Sequence, residues 1–387
     1  MRKGILFLTL RVFSATGGIE KVCKVVCKAL SDMNDAEEPG NLKVLSMYDR
    51  QEDADEKYIS PLLFSGYDQQ KMNFVKSAIL QGRGSKIIIL SHVNLLSIGY
   101  LIKLFSPETK LVLFAHGIEV WGPLSDFRKK MLNKCDCIFS VSQFTKDTMI
   151  QLYQIGEEKI IVLNNCIDPF LSPPETTGKD ISLQKKYSFK KDDIVLMTLT
   201  RLSSKELYKG YDHVLFSLDI LKDKYPNIKY LIVGRYDEEE KARLDTIIKE
   251  LSLKDYVVFT GYIPDEELAK HYRLADIYVM PSKKEGFGIV FIEAMHYGLP
   301  VIAGNKDGSV DALCNGRLGI LVDPDSQDEI NKAIEKMITN RESFKPDPVL
   351  LMEYFRYEVY KKKLASILEK LWIAAMWLYL PILEVVQ

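Results

Sequence analysis

Short runs that are apolar at nearly every position alternate with helix-periodic segments along the whole chain. Six come first: GILFLTL from Gly4, LKVLSM from Leu42, KIIILSH from Lys86, KLVLFAH from Lys110, DCIFSVS from Asp136 and IIVLNN from Ile160. Six more follow: IVLMTLT from Ile194, KYLIVG from Lys229, YVVFTG from Tyr256, DIYVMPS from Asp276, PVIAG from Pro300 and GILV from Gly319. A strand with no polar face must be covered on both sides, so the pattern predicts parallel sheets flanked by helices. Between the two sets, CIDPFLSPPETTGKD (166–180) has three prolines, a glycine and no periodicity, and reads as a linker. The expected architecture is α/β, with two Rossmann-like, doubly wound parallel-sheet domains, residues 1–170 and 185–345, facing each other across a deep cleft. After Pro348, MEYFRYEVYKKKLASILEKL predicts one long amphipathic helix within 350–387 that packs back across the junction onto the first domain.

A chain of 387 residues is too long for one core, and 47% apolar with 27% charged residues is ordinary globular composition. The formal charge is −1, and the part through Glu175 carries 21 Lys/Arg against 20 Asp/Glu, so neither half has the basic field of a nucleic-acid binder. The six cysteines fit no zinc spacing, and Cys23 and Cys27 lie four apart on a predicted helix, as reduced core residues of a cytoplasmic protein would. MRKGILFLTLRVF mimics a signal peptide, but Arg11 cuts its apolar stretch short and no small-residue cleavage site follows; it is expected to be a buried strand. The apolar tail LWIAAMWLYLPIL (371–383) falls short of the roughly 20 residues that span a bilayer and contains Pro381. A docked terminal helix is expected there, with interfacial membrane contact as the alternative.

The densest chemistry lies in PSKKEGFGIVFIEAMHYGLPVIA (281–303). A buried strand ends at Pro281, and a helix starts near Gly288 and stops before Gly298. A helix start presents unpaired N–H groups and partial positive charge, so an anion belongs there; Gly286 and Gly288 remove side chains that would keep it away. The helix is apolar on nearly every face, so Glu293 is buried and needs a cation or hydroxyl groups against it. Helical side chains lean towards the N-terminus, which aims Glu293 at whatever the Gly286–Val290 amides hold, and Glu285 points at the same place. Two carboxylates flanking an anion cradle suit a diphosphate with hydroxyl-bearing rings at each end, as in a nucleoside diphosphate sugar. The alternative is a buried strand–helix joint with one capping and one ion-paired glutamate.

A second strand exit, TRLSSKELYKG, brings Arg201 and Lys209 towards a diphosphate, with Lys205 competing for the role of Lys209. In the first domain Gly17-Gly18 opens a helix but lacks the three-glycine dinucleotide fingerprint. His116 stands at the exit of KLVLFA, where a parallel sheet binds its ligands. Asp53-Ala54-Asp55 and Asp323-Pro324-Asp325 match a metal-binding spacing but lie in an acidic loop and a turn, and are expected to be solvated. Arg128, Lys129, Lys130 and Lys134 form a basic cluster that suits either a solvated face or an anionic membrane.

In order along residues 5–335, the motifs GGIE, HGIE, VSQFT, NNCID, YLIVG, FTGYIPDEEL, EGFGIVFIEAM, GLPVIA and GILVDPD resemble the retaining glycosyltransferases of family 4, which have the GT-B fold. The resemblance implies that Glu285 and the amides of Gly286, Phe287, Gly288, Ile289 and Val290 hold the donor sugar and phosphates, while Glu293 takes the ribose hydroxyls. It assigns Arg201 and Lys209 to the diphosphate, Gly234 and Ile263 to the nucleotide, Gly17 and Gly18 to phosphate, and His116 to the sugar. Family members need no metal. The chain departs from the pattern in the longer Arg201-to-Lys209 spacing and in NKDGSVDAL, where many members have a glycine pair and a glutamate; Asp311 is the candidate for that acid. The activity implied is hexosyl transfer with retention from a nucleotide diphosphate sugar, UDP-glucose favoured and a GDP-sugar the other option, to a glycan or lipid-linked acceptor in bacterial surface-polysaccharide synthesis, with no nucleic acid involved. The protein would be cytoplasmic, with peripheral contact to the inner membrane face as an option. A nucleotide-sugar 2-epimerase and a non-catalytic sugar-nucleotide sensor are the competing classes.

Overall fold

The computed structural model describes residues 3–34, 41–173 and 178–377, so the end of the apolar tail lies outside the described residues. The chain divides into two compact units, Met1–Pro169 with Tyr357–Gln387, and Phe170–Arg356.

The first unit is built on seven strands: β1 (Lys3–Thr9), β2 (Leu42–Ser46), β3 (Phe64–Gly66), β4 (Ser85–Leu90), β5 (Lys110–Ala115), β6 (Cys137–Ser140) and β7 (Ile160–Val162). All pair in parallel in the order β3-β2-β1-β4-β5-β6-β7. The central pair sets Phe7 opposite Ile89 and Leu8 opposite Leu90, all buried, because helices cover both faces. β3 is the strand that the hydrophobic pattern misses: only Phe64 of its three residues is buried. The six cysteines are free and buried.

The second unit holds β8 (Ile194–Leu199), β9 (Ile228–Val233), β10 (Val257–Phe259), β11 (Ile277–Met280), β12 (Val301–Gly304) and β13 (Ile320–Val322), parallel in the order β10-β9-β8-β11-β12-β13. Directly after the predicted linker, the helix Ile181–Lys186 is already part of this unit, its start capped by the Asp180 side chain on the Leu183 N–H at 3.0 Å.

One expectation fails at the C-terminus. The single long helix is two, Pro348–Phe355 and Tyr357–Trp377, separated by Arg356 in an extended conformation (φ −67°, ψ 142°). No glycine or proline marks the break; side chains on either side impose it. Phe355 packs edge-on against Phe287 of the second unit at 5.7 Å, whereas the Tyr357 hydroxyl donates to Asp32 of the first unit at 2.7 Å. The second helix packs on Gly18–Met33 and on β4, with Lys86 4.0 Å from the Trp372 ring.

Candidate active site

Sequence order and spatial order part between β8 and β11, which pair directly although β9 and β10 intervene in the chain. Loops leaving the carboxyl ends of strands diverge at such a switch point and leave room for a ligand. Arg201 and Lys209 follow β8, and the Glu285–Gly288 turn follows β11.

Backbone contacts join these two loops. The Lys283 N–H donates to the Tyr208 carbonyl at 2.9 Å. Gly210 has φ 79°, and a Cβ there would stand 2.3 Å from the Pro281 carbonyl oxygen, so no larger residue fits. The consequence is an ion pair between Lys209 Nζ and Glu285 Oε1, with each side chain only 14% exposed. Burial opposes the ammonium charge, but the Glu285 carboxylate outweighs it and holds Lys209 above its ordinary pKa. Of the two competing lysines, the structure brings Lys209 to Glu285 and leaves Lys205 exposed on the turn between Ser203 and Glu206. Arg201 reaches outward and pairs with Glu206.

The helix Ile289–His296 starts at Gly288, whose φ is 84° and whose backbone no side chain caps. Ile289 and Val290, both half-exposed residues, place their amides in this first turn at the positive end of the helix. The Phe287 side chain points into the core instead, against Phe355, and anchors the turn. Glu293 is buried, and its Oε2 accepts the Tyr272 hydroxyl at 3.0 Å. Tyr272 stacks on Tyr297 (5.3 Å, 17°), and burial together with Glu293 raises its pKa well above the usual value, so it remains a donor. The hydroxyl partner expected for Glu293 is thus supplied in part by the protein. Ile263 is buried beyond β10. Gly234 serves a close approach of backbones: its φ is 137°, and a Cβ would lie 1.8 Å from the Thr200 carbonyl oxygen.

Sequence patterns did not reveal Asp307. It is buried beyond β12 and accepts the Glu285 N–H at 2.7 Å. Asp311, the acid anticipated for this loop, lies four residues on, in the short helix Ser309–Ala312.

In the first unit the switch point falls between β1 and β4. The helix Gly18–Met33 begins there at Gly17 with no side-chain cap, and a Cβ on Gly18 would meet nothing within 4 Å. The preceding loop is organised by buried Asp49, another residue without a sequence signature. Its carboxylate accepts the N–H groups of Val12 (2.6 Å) and Ser14 (2.8 Å) and the hydroxyls of Ser14 and Ser46 (both 2.6 Å). His116 follows β5, and its Nε2 lies 2.8 Å from the Ser91 carbonyl oxygen, so Nε2 carries the proton. The other ring nitrogen, Nδ1, is buried with no hydrogen-bond partner among the described residues. Glu119 accepts the His116 and Gly117 N–H groups and fixes the strand exit. The two DxD pairs are otherwise engaged: Asp53 accepts the Arg50 N–H at 2.7 Å, and Asp323 and Asp325 both pair with Lys306. Among the described residues no helix is long and apolar enough to cross a membrane.

Comparison with known proteins gives a consistent picture. Residues 16–170 match the family model described as Glycosyltransferase Family 4, and residues 180–346 match Glycosyl transferases group 1. Mannosylfructose-phosphate synthase of Agrobacterium fabrum is 28% identical over 208 residues, 52% of this chain and 45% of that protein. The GDP-mannose-dependent alpha-(1-6)-phosphatidylinositol monomannoside mannosyltransferase of Mycolicibacterium smegmatis is 28% identical over 243 residues, 60% of this chain and 61% of that one. The matched stretches thus span less than two thirds of these relatives. Among solved structures, Anabaena HepE in complex with UDP and glucose superposes with a TM-score of 0.77 at 19% identity, covering 95% of this chain and 100% of that one. Sucrose-phosphate synthase from Thermosynechococcus elongatus gives 0.74 at 18%, covering 96% and 100%.

Proposed function

The chain belongs to the glycosyltransferases of family 4, with the GT-B fold, and from that membership we propose that it moves a hexose from a nucleotide diphosphate sugar to an acceptor hydroxyl with retention at the anomeric carbon. One observation carries the proposal: the Lys209–Glu285 pair and the uncapped helix start at Gly288 lie on the two loops that leave the switch point of the second unit. The diphosphate rests on the Ile289 and Val290 amides and on Lys209, the donor sugar on Glu285, and the ribose hydroxyls on Glu293. The β10–α loop around Ile263 takes the base. The same assignment gives Gly18 and His116 of the first unit to phosphate and sugar.

The barrier is departure of the diphosphate from an oxocarbenium-like sugar. Lys209 and the helix start stabilise charge as it gathers on the leaving oxygens, joined by Arg201 once it turns from Glu206 to the diphosphate, about 3 to 4 kcal/mol for each well-placed donor. The bond from the anomeric carbon to the phosphate oxygen breaks, the acceptor oxygen bonds to the same face, and its proton passes to the departing diphosphate. The motifs offer no nucleophile for the opposite face, which favours this front-side course.

UDP-glucose is the first donor to try, supported by the structural likeness to HepE with UDP and glucose; the GDP-mannose-dependent relatives make GDP-mannose the second. For the acceptor we assign the polar cavity of about 460 Å³ beyond β2 and β3, lined by Arg50, Gln51, Glu52, Asp68, Gln70 and Asn73, which can hydrogen-bond a sugar on several sides. Melting with UDP-, GDP- and ADP-sugars tests the donor class, since a bound ligand raises the midpoint. One nucleotide family is expected to raise it and to release nucleoside diphosphate when acceptor is added. A midpoint that no sugar nucleotide moves overturns the proposal, and conversion of donor alone into an epimer replaces transfer with epimerisation.

A further inference from the structure

The β12 exit grips the Glu285 turn from both sides of one residue. The Glu285 N–H donates to Asp307 Oδ2 at 2.7 Å, and the Glu285 carbonyl accepts the Gly308 N–H at 2.8 Å. The other carboxylate oxygen, Oδ1, takes the Ser309 N–H at 2.9 Å. The fit is tight: a Cβ on Gly308 would lie 2.0 Å from the Gly286 carbonyl oxygen. Asp307 itself is 1% exposed. The charged group that faces it is the Glu285 carboxylate, from the β11 loop. The lysine next to it in the chain, Lys306, turns to Asp323 and Asp325, and Lys283 also pairs with Asp325. A buried carboxylate held by two amides, facing a second carboxylate whose own cation, Lys209, pairs with Glu285 rather than with Asp307, is an uneasy structural element and calls for a reason.

We propose that Asp307 is a positioning residue for the transfer reaction, which holds the Glu285 turn in its working shape only while each of its two oxygens is free to accept one amide. The proposal rests on the assignment of Glu285 to the donor sugar. A proton on either oxygen turns that acceptor into a donor facing an N–H, so the Ser309 or Glu285 contact is lost and Glu285 swings with its backbone. Burial first, and the Glu285 charge after it, push the Asp307 pKa up to about 7, so this change falls near neutrality. Activity then requires the ionised form, while the fold prefers the protonated one.

The full chain with UDP-glucose as probe, read by UDP release and by transfer, provides the test. Donor kcat/KM of the wild type is expected to fall as pH drops through about 7. Asp307→Asn offers one acceptor to two amides at every pH; it is expected to lose at least about tenfold in kcat/KM at pH 8 and to show no ionisation between about pH 6 and 8. A wild-type profile without that limb overturns the proposal on its own, even if the variant fails to fold, and so does a variant that keeps both the rate and the limb. If the wild type releases no UDP, the donor assignment is what fails, and melting decides on Asp307. Because its folded pKa lies above that of an unfolded aspartate, wild-type stability falls relative to Asp307→Asn as pH rises to about 7 and is level beyond. A difference in melting midpoint that is independent of pH sinks the idea.

Discussion

Replacing Lys209 with methionine separates two roles that the ion pair combines. The substitution keeps most of the chain length and removes the charge, leaving the Glu285 carboxylate uncompensated where both side chains are 14% exposed. Breaking a fully buried pair costs about 3 to 5 kcal/mol; the residual exposure argues for the lower end, about 3 kcal/mol. For a unit of this size that lowers the melting midpoint by about 6 to 12 °C. Transfer should fall further than stability explains, by about 10² to 10³ in kcat, if the ammonium also meets the leaving diphosphate as proposed. Adding Glu285→Gln removes the stranded charge, so the double variant should regain most of the midpoint and none of the rate. Calorimetry and steady-state kinetics on the two single variants and the double one form the complete cycle. A Lys209→Met protein that melts like the wild type refutes the buried pair. A double variant with restored kcat shows that Lys209 serves only to neutralise Glu285, and the assigned role at the leaving group is then wrong.

In the first unit, Asp49→Asn withdraws one acceptor from a carboxylate that holds three amides and two hydroxyls, and should cost about 1 to 3 kcal/mol with faster proteolysis within residues 10–17, seen by limited digestion. Burial raises the pKa of five of the cysteines, to about 12 for Cys135 and Cys137, so at pH 8 the thiols stay protonated; a disulfide-exchange reagent should react with them no faster than the protein unfolds, and rapid labelling would contradict their placement. Residues 71–134 carry ten Lys/Arg against Glu108, Glu119 and Asp126, and the adjoining helices Lys71–Gly82, Leu96–Phe105 and Asp126–Leu132 expose Met72, Leu80, Phe105 and Phe127. Flotation should therefore show salt-sensitive binding to vesicles containing phosphatidylglycerol, weakened by Phe127→Ser with Lys130→Glu, and no binding to neutral vesicles; equal binding to both would rule out this face.

Period and punctuation made much of this legible. Twelve of the thirteen strands show as runs apolar at nearly every position, because a parallel strand covered on both faces has few polar positions to confuse its signal. β3 escaped because a three-residue strand with one buried side chain has no period. The break at Arg356 escaped because it is imposed by partners distant in sequence, Phe287 on one side and Asp32 on the other. At the site, Glu285 and the Gly288 helix start could be placed from strand exits and glycines alone. Spacing could not choose between Lys205 and Lys209, since that choice depends on how Gly210 docks on Pro281.

The two organising aspartates share a position that makes them less accidental than they look one at a time. Asp49 lies three residues beyond the end of β2, and Asp307 three residues beyond the end of β12. β2 pairs with β1 and β12 with β11, so each acid comes from the strand beside a switch-point strand and reaches over to the loop that leaves it. A loop that presents its own amides to an anion cannot also satisfy every amide within itself; some acceptor from outside has to take the rest. A neighbouring strand's exit is the nearest source, and a carboxylate is the acceptor that can hold two or more N–H groups at once. Both units thus meet the same backbone requirement in the same way, although no sequence motif records it.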